Sequence, residues 1–256
     1  MLNHKPLSKS ALQRLYPGIS DRVSRGLLLP GNAHSVNPGA MVQALADRFK
    51  SEGGHIIVES VLRIWRDGSS GWTVMTNFGN HRSDGVVMAA GIWSDQLLRP
   101  LGLRVPMESE RGYHAVVRTS SIELSMPILN KSRYFGLCSM DDGLRVSGTV
   151  EIAGLNASPD LARAKTLARQ ACELFPDLGG EEIYWMGHRP SLPDGLPMIG
   201  PVHGHPGLNL CFGHGHSGLT AAPQSGKLLA ELMCNEQVTV DPEPYSPARF
   251  LKTRKS

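Results

Sequence analysis

The segment Gly213-His214-Gly215-His216-Ser217-Gly218 has the spacing of a loop that cradles a phosphate. Glycine lets a ligand approach the backbone closely, and a helix N-terminus presents free N–H groups to negative charge. The apolar run 208–212 before it predicts a strand, and residues 219–233 after it predict a helix. Read literally the segment is GxGxxG, and Glu236 lies near the place of a ribose-binding acid, about 20 residues on. The alternative is a glycine-rich turn that only lets the helix pack on the strand. A doubly wound nucleotide domain needs several more strand–helix units after its fingerprint. Only 38 residues follow here, and they include DPEPYSP and a basic tail. A complete nicotinamide site at this position is therefore not expected.

A second group is Gly187-His188-Arg189-Pro190, followed by Pro193-Asp194-Gly195-Leu196-Pro197. Arg189 is placed where a strand meets a rigid loop. A guanidinium held there could grip a carboxylate through two parallel hydrogen bonds. Equally, it could pair with Asp194 and staple the loop. Four histidines, His203, His205, His214 and His216, cluster in sequence and invite a metal reading. No Cys or Asp completes a ligand set with them, and no metal is expected. Cys211 reads as a small core residue of its strand. Neither GxSxG nor HExxH occurs, so hydrolase readings lack support.

The elements that must position these groups follow from spacing and caps. Residues 8–15 predict a short helix capped by Ser8 or Ser10. GLLLP (26–30) predicts a short buried strand. Asn37-Pro38 predicts a cap and first position of a helix whose apolar side is Met41, Val42, Leu45, Ala46 and Phe49. Strands are expected in 55–64, 72–76 and 81–89. VVMAAG (86–91) is a continuous apolar run, which fits a parallel strand buried on both faces. Residues 105–150 alternate and predict a mostly antiparallel sheet. The clearest long helix is 159–175, with Leu161, Leu167, Ala168, Ala171, Leu174 and Phe175 on one face and Pro176 as its stop. A strand at 181–187 leads into the Arg189 loop.

Composition narrows the classes. Hydrophobic residues at 41% and a net charge of +3 exclude intrinsic disorder and imply no nucleic-acid partner. Cys138, Cys172, Cys211 and Cys234 form no CxxC pair and are too sparse for a disulfide scaffold, which favours a reduced setting. No apolar run reaches the length of about 18 residues that spans a bilayer, and MLNHKPLSKSALQRL lacks the apolar core of a signal peptide. A cytoplasmic protein is expected, with peripheral contact at the inner membrane left open.

The stretches RGLLLPGNAHSVNPGAMVQALADRFKSEGGHI, VVMAAGIWSDQLLRPLG, ERGYHAV, LRVSGTVEIAG, WMGHRPSLPDGLPMIGP and GHGHSGLTAAPQSGKLLAEL carry a resemblance. Together they resemble, in order, the D-amino-acid oxidase-like superfamily of FAD-dependent oxidoreductases, with bacterial D-amino-acid dehydrogenase small subunits and glycine oxidases as the nearest types. The resemblance implies an α+β / α/β fold. One part would be a remnant of the FAD-binding Rossmann-like layer (1–104 and 181–240). The other would be an antiparallel-sheet substrate domain with flanking helices (105–180), followed by a mobile basic tail (241–256).

The resemblance also reassigns the GxGxxG look-alike as a C-terminal flavin contact. It implies that Gly213, His214, Gly215, His216, Ser217, Gly218, Leu219 and Thr220 line the FAD ring and ribityl chain. Val61 would touch the adenine through its backbone, and Ala90 with Gly91 would end the strand that approaches the cofactor. Arg189 matches the arginine that binds the substrate carboxylate. His216 falls where glycine oxidase has a second substrate-contacting arginine. Tyr113 and Tyr134 are the tyrosines an active site could use. The implied reaction is oxidative deamination of a D-amino acid or similar small amine by hydride transfer to flavin, with oxygen or a quinone as acceptor. One departure is expected to matter. The family begins with a strand–GxGxxG–helix segment that this sequence lacks. The alternative reading is a non-catalytic truncated homologue, or a subunit needing a partner chain that carries the missing FAD-binding segment.

Overall fold

Ser8 starts the first helix, its hydroxyl accepting the Ala11 N–H at 3.3 Å. Asn37 does the same for the second, accepting the Ala40 N–H at 2.9 Å, with Pro38 in the first helical position. The computed structural model describes residues 4–68 and 71–251. In chain order its elements begin with β1 (Lys5–Ser8), α1 (Lys9–Leu15), β2 (Arg25–Leu28), α2 (Pro38–Ser51), β3 (Val61–Arg66) and β4 (Trp72–Thr76). They continue with β5 (Asn80–Ser83), β6 (Val86–Met88), α3 (Ser94–Leu98), β7 (Glu108–Arg118), β8 (Ile128–Asn130) and β9 (Phe135–Met140). The last are β10 (Gly143–Ile152), α4 (Ala162–Leu174), β11 (Glu181–Ser191), β12 (Met198–Pro201), β13 (Leu208–Phe212) and α5 (Gly218–Met233). The fold is thus mixed α/β, with antiparallel sheets and helices, as the sequence predicts.

The described chain divides into two compact units. The first comprises residues 4–51, 111–151 and 157–187. Its five-stranded sheet runs β11-β7-β10-β9-β8, and the pairs β8–β9 and β9–β10 are antiparallel. α4 covers it with Ala164, Leu167, Ala168, Ala171 and Leu174, a stripe at helical spacing. Phe175 is fully buried just past its end, whereas Leu161, expected on that stripe, precedes the helix and is exposed. Residues 4–51 cluster with this unit. Tyr16 and Ile19 enter the core with Val117, Leu137 and Phe175, and Asn37 Nδ2 donates to Asp141 Oδ2 at 2.9 Å.

Two apolar expectations in this unit fail for the same reason. Among the described residues β2 pairs only with β1, so Leu27 remains 57% exposed rather than buried. α2 forms as expected, yet Met41, Val42, Leu45 and Phe49 are all exposed. Periodicity announces an apolar face without saying what covers it.

The second unit comprises residues 52–110, 152–156 and 188–251. One sheet is β3-β4-β5, antiparallel throughout. The other is β12-β13-β6, where β12 and β13 are antiparallel and β13 and β6 parallel. Its core gathers Ile64, Trp72, Met88, Leu98, Met198, Leu208, Leu210 and Phe212. The Trp72 indole N–H donates to the Pro206 carbonyl at 3.0 Å, which satisfies its one polar atom. β6 is parallel, as VVMAAG predicts, but it is an edge strand and Val87 is exposed, so burial on both faces does not hold. Ile199, Leu228 and Leu229 fix α5 on this sheet.

Much of the tail expected to be mobile is structured. Glu243–Tyr245 and Pro247–Arg249 are 3₁₀ turns, and Phe250 and Leu251 pack against the second core. Residues 252–256 of that tail lie outside the described residues.

Candidate functional site

Gly213 follows β13 with φ +86° and is buried. A Cβ there would lie 2.6 Å from Leu192 Cδ1. Gly215 has φ +50°, and a Cβ there would lie 3.3 Å from Ser191 Oγ. Both positions require glycine for conformation and for close approach. The strand thus ends in a backbone turn that feeds α5, whose first residue is Gly218.

His214 forms a β-bridge with Ser191, and its Nε2 lies 2.9 Å from Ser225 Oγ. Burial lowers its pKa, which keeps the imidazole neutral. His216 is exposed, with Nε2 2.6 Å from Glu110 Oε2. Ser217, Leu219 and Thr220 are exposed, and the Thr220 hydroxyl donates to the Ser217 carbonyl at 3.0 Å.

The bridge at Ser191 ties β11 to this turn. β11 runs on to Ser191, so Arg189 lies within a strand and not in a loop. Arg189 is half-buried, and its Nη1 is buried with no hydrogen-bond partner among the described residues. Ser191 Oγ is likewise buried without a partner among the described residues. The staple expected between Arg189 and Asp194 does not form, because Arg249 takes Asp194 instead, Nε to Oδ2 at 2.9 Å.

Residues around Arg189 that the sequence did not single out complete the site. His188 Nδ1 lies 2.7 Å from Ser109 Oγ, at the start of β7. Trp93 meets the His188 ring edge-on, with centroids 6.1 Å apart. Trp93 closes the turn that begins at Ala90 and Gly91, both half-buried, with Gly91 at φ +54°. The end of β6 is thereby brought to β11. Glu110 opens the ERGYHAV stretch, and only a sequence-distant contact with His216 reveals its place.

Val61 starts β3 at 41% exposure, opposite Thr76, and a bulge follows it. Beside it, Glu59 accepts from the Thr76 hydroxyl at 2.6 Å and meets His81 Nε2 at 2.8 Å. Tyr113 and Tyr134 both belong to the first unit. The Tyr113 hydroxyl is buried against Glu151 Oε2 at 2.5 Å, and Tyr134 is 79% exposed at φ +56°. Among the described residues no three His, Cys, Asp or Glu side chains are grouped as metal ligands. No helix among them is long and apolar enough to cross a membrane.

Known proteins share this sequence and architecture. Residues 2–232 match the profile of a family described as FAD dependent oxidoreductase, DAO. The chain is 34% identical over 250 residues to a D-amino-acid oxidase of Bradyrhizobium diazoefficiens, covering 96% of this chain and 59% of that protein. It is also 34% identical over 250 residues to a glycine oxidase of Pseudomonas aeruginosa, covering 95% and 68%. The chain therefore spans about three fifths to two thirds of these relatives. Among solved structures, glycine oxidase from Geobacillus kaustophilus superposes with a TM-score of 0.84 at 24% identity, over 98% of this chain and 67% of that one. Iminodiacetate oxidase from Chelativorans sp. BNC1 superposes with a TM-score of 0.82 at 26% identity, over 96% and 67%.

Proposed function

The chain belongs to the DAO family of FAD-dependent oxidoreductases, and on that premise we propose that it serves the oxidative deamination of a D-amino acid or similar small amine. The observation that carries this reading is Arg189, whose buried Nη1 finds no partner among the described residues. A buried guanidinium nitrogen without an acceptor is costly, and a substrate carboxylate would satisfy it.

The turn at Gly213 and Gly215 fits the flavin family to which the chain belongs. A side chain at either glycine would meet Leu192 or Ser191, so the turn packs closely against the end of the strand that carries Arg189. Residues Gly213 to Thr220 would hold the ring side of FAD, with Ala90 and Gly91 beside it and Val61 toward the adenine. Bound there, the flavin would supply the two-electron acceptor for the substrate Cα–H.

The chain's own residues orient the substrate. Arg189 fixes the carboxylate, while Ser109 and Trp93 hold its neighbour His188 in place. His214 braces the turn through Ser225, and its burial favours the uncharged ring beside the site. The imine product then hydrolyses in water without a protein nucleophile.

A visible spectrum of the purified chain, with and without added FAD, tests the reading. A flavin spectrum bleached by D-alanine, and bleached less in Arg189→Ala, is expected. A chain that leaves FAD unbound would instead favour a companion chain that completes the cofactor site. A bound flavin that bleaches equally in Arg189→Ala would reject the carboxylate role of Arg189.

A further inference from the structure

The second unit places a negative charge on the same face as Arg189. β7 and β11 are neighbours in their sheet. The Ser109 hydroxyl lies 2.7 Å from His188 Nδ1, so these two side chains project from one face. Successive side chains of a strand alternate between faces. The next residues, Glu110 and Arg189, therefore both project from the other face. Glu108 shares that parity, and its Oε1 accepts the Ser109 N–H at 2.9 Å. Glu110 is not free to swing away, because its Oε2 lies 2.6 Å from His216 Nε2. His216 in turn sits two residues past His214, whose bridge to Ser191 fixes the turn against β11.

A carboxylate so placed cannot help bind a second anion. One guanidinium, Arg189, satisfies one carboxylate. A further carboxylate on the substrate that reached this face would meet the Glu110 and Glu108 carboxylates. Like charges juxtaposed on binding disfavour a ligand strongly, and such repulsion is a common source of specificity. A neutral substrate side chain meets no such penalty, and a cationic one is attracted.

Resting on the reading that Arg189 binds the substrate carboxylate, we propose that Glu110, held by His216, is a specificity-determining charge filter. It admits amino acids with neutral or cationic side chains and rejects dicarboxylates.

Titration calorimetry of the full chain with D-alanine and D-aspartate tests this. The unmodified protein is expected to bind D-alanine at least about tenfold tighter, a difference near 1.4 kcal/mol. Glu110→Gln should bring that ratio to within about threefold, and Glu110→Asp, which keeps the charge, should preserve it. A ratio unchanged in Glu110→Gln overturns the filter, as does a ratio near unity in the unmodified protein. Arg189→Ala is read separately and should weaken both ligands together. If it weakens neither, the carboxylate reading fails, while the ratio still reports on Glu110. No binding of either ligand to the unmodified chain overturns both.

Discussion

Asp194 belongs to Arg249 and not to Arg189. Arg249 Nε donates to Asp194 Oδ2 at 2.9 Å, while its terminal nitrogens donate to the carbonyls of Pro197 at 3.2 Å and Leu196 at 3.0 Å. The guanidinium clamps the loop after β11 to the last 3₁₀ turn. Among the described residues it leaves Arg189 without an acidic partner, which is the condition for Arg189 to accept one from a ligand.

Removing the clamp should loosen that loop. Hydrogen bonds to a charged group contribute about 1.5–3 kcal/mol, and exposure reduces this. Arg249→Ala is expected to cost about 1–3 kcal/mol and to lower Tm by roughly 3–10 °C in a thermal scan. The pair also makes stability depend on acid. Burial pushes the Asp194 carboxyl up, but the hydrogen bonds from Arg249 and the Leu196 N–H outweigh it and hold the pKa below its ordinary value. A pKa lower in the folded state gives stability that is present above about pH 3.9 and lost as pH falls through the folded value. Urea midpoints should fall in that window, and Asp194→Asn should flatten the fall. An unchanged acid limb would count against the pair.

The turn at Gly213 should reject any side chain. Its φ is +86°, and an added Cβ would lie 2.6 Å from Leu192 Cδ1. Gly213→Ala combines strain with a buried clash and should cost about 2–4 kcal/mol. Gly226, within α5, meets nothing within 4 Å of an added Cβ and has ordinary helical φ. Gly226→Ala should therefore stabilise by about 0.5–1 kcal/mol. Opposite signs in one chemical-denaturation series are the expected outcome. Two destabilisations would show that the α5 surface is more tightly packed than its geometry indicates.

His214 gives the chain a second pH dependence. Burial lowers its pKa, so the folded state holds it neutral where the unfolded chain would protonate it. The unfolded state then binds more protons, and stability rises with pH. That contribution is complete above about pH 6.5 and is lost as pH falls through the folded value. His205 is lowered for the same reason, with Arg66 adding to it, so part of the slope belongs there. His214→Gln should reduce the loss of stability between about pH 7 and pH 5 without abolishing it. A slope identical to that of the parent would mean that the ring is already solvated.

What the sequence revealed depends on range. The caps at Ser8 and Asn37 act within three residues, and β13 is written entirely in LNLCF, so both are legible. The α4 stripe is legible because its period matches the helix. Arg189 was singled out, but its surroundings were not. Its loop neighbour Asp194 is taken by a residue 55 positions away, and Glu110 reaches His216 across 106 positions. The α2 stripe shows the converse limit. Met41, Val42, Leu45 and Phe49 have the right spacing, yet a spacing does not specify the surface it faces.

The first unit buries a charge whose balance can be tested. Arg111 is fully buried, and none of its guanidinium nitrogens has a hydrogen-bond partner among the described residues. Its charge is balanced by Glu151, with Nε 3.4 Å from Oε2. Glu151 also meets Arg163 at 3.5 Å and accepts the Tyr113 hydroxyl at 2.5 Å. Breaking a buried pair by removing one partner is costly because the other charge stays buried. Removing Arg111 instead leaves Glu151 paired with Arg163, Nε 3.5 Å from Oε1, so no charge is left buried alone. Glu151→Gln should therefore cost about 3–5 kcal/mol, whereas Arg111→Met should cost less than about 1.5 kcal/mol. Tyr113→Phe tests the hydroxyl alone and should cost about 1–2 kcal/mol, since the Asp160 N–H also donates to it at 3.1 Å. Urea unfolding of the three variants gives the order. If Arg111→Met proves as damaging as Glu151→Gln, the guanidinium contributes bonds beyond its charge balance, and the cluster is a hydrogen-bonded network rather than an isolated ion pair.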